Sequence, residues 1–139
     1  MNTAYRVWDG EQMHYWDDVN LNLFIKGKEW TLYKDSAGLC PDIIASSQDG
    51  KSVLMWGTGL KDKNGKDIYQ KDITEESYVS PMTKRNVIER YVIESEKGID
   101  KMKHVSNISA LDRFLRYRLD EIEVVGDVFE NPELLEGAE

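Results

Sequence analysis

Along the first half of the chain, apolar and polar side chains alternate in short runs broken by glycine-bearing turns. "AYRVW" and "MHYW" flank "DGEQ", and an Asp-Gly step is a strong hairpin signal. "LNLFI" and "WTLY" flank "KGKE", with Leu21, Leu23 and Ile25 on one face and Asn22 and Phe24 on the other. "DIIAS" and "VLMW" around "SQDGKS" make a third expected pair. Three such pairs in so short a span predict a compact antiparallel sheet or a small barrel.

Downstream, "TEESYVSPMTKR" is polar and holds Pro81, which predicts a connection. "NVIERYVIE" and "IDKMKHV" around "SEKG" predict a long hairpin projecting from the barrel. Helix is the alternative for its first segment, but Val87, Ile88, Tyr91, Val92 and Ile93 favour strand. "SNISALDRFLRYRLDEI" predicts a helix. Ser109 and Asp112 make a weak capping box, and Leu111, Phe114, Leu115, Leu119 and Ile122 fall near one face. Arg113 and Arg116 lie opposite, whereas Arg118 would sit among the apolar residues, so the helix hands over there to a strand, "EIEVVG". "ENPELL" predicts a short C-terminal helix, with Asn131 as cap and Pro132 at the first helical position. The expected class is mainly β with some helix (α+β). It forms one domain over 1–139, with 74–118 as an insertion or arm, either hairpin or helical.

The stretch "GTGLKDKNGKDIYQKDI", Gly57 to Ile73, invites a cation or phosphate reading. A calcium loop starting at Asp62 fails, because Lys66, Asp67 and Ile73 stand where an oxygen ligand, Gly and a bidentate acid are required. A phosphate loop fails too: Gly59 and Gly65 are one residue too far apart, and Asp67 follows Lys66. A turn explains the stretch, with Asn64-Gly65 as the central pair expected of a type I′ turn.

Charge changes the picture along the chain rather than in total. The net charge is −8, yet residues 81–118 hold 9 basic and 5 acidic side chains, and residues 119–139 hold 8 acidic and no basic ones. Overall acidity argues against a generic nucleic-acid coat, since phosphate binding rests on Lys and Arg. Lys84, Arg85, Arg90, Lys101 and Lys103, with Tyr91 interleaved, are the candidate interaction residues on the expected hairpin. Such a basic, aromatic-bearing arm could track a nucleic-acid backbone. The favoured reading pairs it with the acidic tail of the same or a neighbouring subunit.

Other chemistry is sparse. Cys40 is the sole cysteine, which excludes an intramolecular disulfide and fits a reducing cytosol. No apolar run is long enough for a membrane span, and the N-terminus lacks a signal-peptide profile, so a cytoplasmic protein is expected. His14 and His104 lack a ligand set for zinc, Cys40 lacks a neighbouring base, and Asp17-Asp18 and Glu75-Glu76 read as solvated turn charges. No catalytic residue, metal ligand or cofactor site is expected. Of Trp8, Trp16, Trp30 and Trp56, most are expected in the core, with one or two exposed at a subunit contact.

Three stretches carry a family resemblance: "YRVWDGEQMHY", the segment from "VLMW" through "TGLKDKNGKDIYQKDI", and "IEVVGDVFENPELL". Together, and in that order, they resemble the YopX-like proteins of bacteriophages and prophages. The resemblance implies a phage or prophage product with an SH3-like small barrel, self-association into a homo-oligomer, and no established catalytic residues. Lys71 stands where the family pattern Tyr-x-Gly-Asp-Ile has Gly, and residues 74–118 do not match its motifs. The expected function is therefore a non-enzymatic accessory protein that assembles and binds a partner macromolecule. A nucleic-acid-binding or transcription-modulating module acting through 84–103 is the alternative.

Overall fold

A computed structural model describes residues 4–35, 40–105 and 113–135, and these are mostly antiparallel strand. The chain divides into two compact units, Thr3–Trp56 and the part from Gly57 onward.

In the N-terminal unit, β1 (Tyr5–Trp8) pairs with β2 (Met13–Tyr15) across the expected Asp-Gly turn. One oxygen of Asp9 accepts the N–H groups of Glu11 and Gln12, and the other meets His14 Nε2 at 2.8 Å. His14 is a strand residue, as expected, with its ring held against the turn carboxylate. β3 (Leu21–Lys26) and β4 (Glu29–Lys34) form the second expected hairpin, with Gly27 at a φ of 62°. The third expected pair does not form. β5 (Asp42–Ser46) pairs with β4, and the first residues of β6 (Val53–Lys61) pair with β1. Both segments are strands, but register between distant segments is set by packing, which a local turn signal does not report.

The core here is Val7, Leu32 and Ala45, with Leu54 and Trp30 packed against it. None of the four tryptophans is buried: Trp8 and Trp30 are half-exposed, and Trp16 and Trp56 are exposed. Trp30 packs against this core, and Trp8, Trp16 and Trp56 are not part of it. Trp56 packs edge-on against Tyr5, with centroids 6.3 Å apart.

In the C-terminal unit a five-stranded antiparallel sheet has the order β11-β10-β9-β8-β12. Its strands are β8 (Asp72–Val79), β9 (Asn86–Glu96), β10 (Ile99–His104), β11 (Arg113–Phe114) and β12 (Ile122–Asp127). The end of β6 pairs with β7 (Asp67–Tyr69). Ile68, Tyr91, Ile93, Met102, Leu115 and Ile122 form the core, flanked by Leu60, Leu119 and Val124.

The expected helix before β12 is absent from the described residues. Arg113–Phe114 is strand, Leu115–Tyr117 is one 3-10 turn, and Ile122 already opens β12; Ser109, Leu111 and Asp112 lie outside the described residues. Leu115, Leu119 and Ile122 do share one core, as helical spacing suggested. A tight turn leading into a strand brings them together equally well, and the run of Ile122, Val124 and Val125 favours strand. The short C-terminal helix is a 3-10 turn, Pro132–Leu135.

The Gly57–Ile73 stretch contains a turn, but not of type I′. Of the central pair, Asn64 does not have positive φ, and Gly65 alone is left-handed, at 82°. The cause is the buried carboxylate of Asp62. One of its oxygens accepts the N–H groups of Asn64 and Lys66, each at 2.9 Å, and the other accepts Val124 N–H at 2.8 Å. Asp62 C=O also accepts Gly65 N–H, which closes a turn that demands positive φ of Gly alone. Burial alone would raise this carboxyl, but its bonds to the backbone of Val124, Lys66 and Asn64 outweigh that and hold it below the ordinary aspartate value. Further along, Lys71 has a φ of 69°, the left-handed conformation that suits the Gly of the family pattern. Its ammonium reaches Glu94 at 2.6 Å.

β12 is bulged between Val124 and Gly126. Beyond the bulge, Asn131 Oδ1 accepts Asp127 N–H, while Asp127 Oδ1 accepts Phe129 and Glu130 N–H. A methyl group at Gly126 would fall closer than 3.0 Å to Asn131 Oδ1, Cγ and Cβ.

Two outcomes follow for urea unfolding. Gly126→Ala lowers stability by about 1–3 kcal/mol, the usual range for overpacking; an unchanged midpoint would contradict the clash with Asn131. Asp62→Ala lowers it by about 2–3 kcal/mol through lost charge-assisted hydrogen bonds. Because the folded carboxyl titrates below the unfolded one, its stabilisation is complete above about pH 4 and is lost as pH falls through the folded value. The gap between wild type and Asp62→Ala therefore narrows in acid, and a constant gap from pH 7 to pH 3 would refute the assignment.

Candidate functional site

The six candidate interaction residues do not form one free basic surface. Arg90 Nε donates to Glu75 at 2.8 Å, and Lys101 and Lys103 both contact Glu96. These pairs lie on the outer face of the sheet, opposite the core. Tyr91 is not an exposed stacking ring. It is 2% exposed, its hydroxyl donates to Glu89, and burial first, then that bond, pushes its phenol up to about 12. His104 lies edge-on to the same ring. At the margin of the core, Glu76 is buried and paired with Arg118 and Arg113, and Arg113 also stands over the Tyr91 ring. Cys40 is exposed and unpaired. Among the described residues, no group of three or more His, Cys, Asp or Glu side chains could hold a metal ion. No helix among them is long and apolar enough to cross a membrane.

Lys84 and Arg85 are placed differently, because β8 and β9 outrun their neighbours. β12 pairs with β8 only from Asp72 to Glu76, and β10 pairs with β9 only from Tyr91 to Glu96. Beyond them, Ser77–Val79 and Asn86–Ile88 pair with each other alone among the described residues. Exposure changes at once: Glu76 is buried, whereas Ser77, Tyr78 and Val79 are exposed. Only this distal part of the expected arm projects; the β9–β10 hairpin is integral to the sheet. Tyr78 and Val87 share one face of the ribbon, Val79 and Ile88 share the other, and Met82 at its tip is 92% exposed. The ribbon carries Lys84 and Arg85 and no acid from Ser77 to Ile88. The sequence signal for this apolar character lay in "SYVSPM", but Pro81 and the flanking polar residues mark it as a connection.

At the opposite end of β9 lies a hollow of about 210 Å³ lined by Thr58, Leu60, Gly98, Ile99, Asp100, Phe114 and Arg116. Ile99 and Phe114 are exposed beside it, as is Tyr117, whose ring meets Phe114 edge-on and lies under Arg116. Asp100 is partly buried there. Burial raises its carboxyl pKa, a hydrogen bond with Ser95 opposes this, and no ion pair among the described residues offsets the charge. Sequence reasoning missed this hollow entirely, since its lining comes from three separated segments and carries no motif.

Comparison with known proteins bears on this arrangement. Residues 4–136 match the family described as YopX protein. The chain is 40% identical over 143 residues to the SPbeta prophage-derived uncharacterized protein YopX of Bacillus subtilis (strain 168), covering 99% of this chain and 98% of that one. The crystal structure of protein yopX from Bacillus subtilis superimposes with a TM-score of 0.75 at 35% identity, covering all of both chains. Protein EF1440 from Enterococcus faecalis, at 24% identity and a TM-score of 0.58 over 96% of this chain and 97% of its own, shares the fold. With the β-rich architecture and near full-length identity in hand, the chain belongs to the YopX family.

Proposed function

We propose that the protein is a non-enzymatic accessory protein of a phage or prophage, acting in the cytoplasm of the bacterial host by self-assembly and by binding a partner macromolecule. The prophage origin of its Bacillus subtilis relative supports the setting. The distal β8–β9 ribbon carries the assembly reading. A two-stranded ribbon is at best marginally stable in water, and this one exposes Tyr78, Val79, Met82 and Ile88 on two faces and a tip. Burying it against protein removes both problems. The five-stranded antiparallel sheet, bulged at Val124–Gly126, is the element on which an SH3-like barrel would be built.

Nucleic-acid binding through residues 84–103 has less support, because Arg90, Lys101 and Lys103 already face Glu75 and Glu96. Pairing of the basic segment with the acidic tail also loses ground. Ile122–Asp127 of that tail is a sheet strand, and Ile122 is buried in the core. Deleting Ile122–Glu139 would therefore unfold the unit rather than test assembly.

Light scattering on a sizing column should give a discrete oligomer that loosens from low to high salt. A monomer at both salts overturns the assembly reading, and retention on duplex or single-stranded DNA with a steep salt dependence would favour the alternative.

A further inference from the structure

Two features of the C-terminal unit are complementary. The ribbon tip is apolar and positive, with Met82 between Tyr78 and Val79 on one side and Lys84 and Arg85 on the other. The hollow has apolar walls in Leu60, Ile99 and Phe114, with Thr58 and Arg116 also in its lining, and holds the partly buried Asp100, which hydrogen-bonds Ser95 and makes no ion pair among the described residues. At about 210 Å³ it falls below the ~300–1,000 Å³ usual for small-molecule sites, which suits an inserted side chain better than a metabolite. A carboxylate desolvated among apolar atoms is costly unless a cation joins it.

Neither feature can satisfy the other within one chain. The ribbon leaves β9 at Asn86 and the hollow lies beyond Glu96, so the eleven-residue strand holds them apart by on the order of 30 Å. We infer that the ribbon tip of one copy docks into the hollow of a second copy, with Met82 against Ile99 and Phe114 and a Lys84 or Arg85 cation meeting Asp100. This rests on the self-assembly reading and names its contact. With donor and acceptor at opposite ends of one strand, two copies laid antiparallel exchange tips reciprocally in an isologous dimer, whereas a rotated, head-to-tail arrangement makes heterologous contacts that close a ring.

The test uses the full-length chain with Cys40→Ser, so that introduced thiols stand alone. Two forms with different tags, one with Met82→Cys and one with Ile99→Cys, are co-expressed, purified through both tags and oxidised with diamide. The expected result is a disulfide-linked heterodimer on a non-reducing gel, at higher yield than either form gives by itself. Adding Lys84→Glu and Arg85→Glu to the donor should weaken association about tenfold or more, as for loss of an interfacial charge pair, and Asp100→Lys in the recipient should restore it. Light scattering on the same samples separates the two readings. A monomer overturns self-assembly and this contact together. An oligomer without the 82–99 link, or with Met82→Cys linking mainly to itself, overturns only this contact, the second result placing ribbon against ribbon.

Discussion

Strand β9 has eleven residues, while β10 and β12 have six each and β8 has eight. A ladder of unequal strands leaves backbone groups and side chains without neighbours wherever the long strand runs on. Here the overhang falls at the Asn86 end, where only β8 accompanies it. At the other end the chain turns through Lys97 and Gly98, both left-handed at 51° and 79°, and re-enters the sheet at Ile99 beside the hollow. The middle of β9 is what can bear this. Tyr91 and Ile93 are buried in the core, and the Tyr91 ring also carries His104 and Arg113.

Buried acids, more than apolar volume, fix the rest of the C-terminal unit. Asp62 ties the β6–β7 turn to Val124 of β12, Asp72 is buried and accepts Tyr69 N–H, and Asp127 organises the turn after β12. Each satisfies backbone donors that would otherwise be buried without partners. The family resemblance runs through these acids and the glycines near them. Gly65 is needed for its positive φ and Gly126 for its lack of a side chain. The motif is therefore a folding device. Its Asp62 carboxylate accepts three backbone N–H groups.

Features set locally were legible in the sequence. The turns at Asp9-Gly10 and Gly27-Lys28 appear where a hairpin signal stands, because the residues that make them are adjacent. The strand character of residues 86–104 followed from β-branched and aromatic residues. Features set at a distance were not legible. The partners of β5 and β6 depend on which faces the core covers, and the apolar spacing of Leu115, Leu119 and Ile122 fits a turn and strand as well as a helix. Tyr91 illustrates the limit for function. Its place among basic residues suggested stacking, yet its burial depends on Leu115 and Met102, remote in sequence, closing over the same core.

Charge on this molecule has to be counted by neighbour rather than by segment. Residues 81–118 are basic in composition, but Arg90, Lys101 and Lys103 face glutamates of the same sheet, and Arg113 and Arg118 share Glu76. Beyond these pairs, two features stand out: the cations Lys84 and Arg85 at an apolar tip, and the partly buried Asp100 in a hollow lined by Leu60, Ile99, Phe114 and Arg116. Isolated charges of this kind contribute little while they face water and considerably more once a partner excludes it. These few charges can therefore add specificity to a contact, because a wrong partner would leave Asp100 desolvated and unmatched.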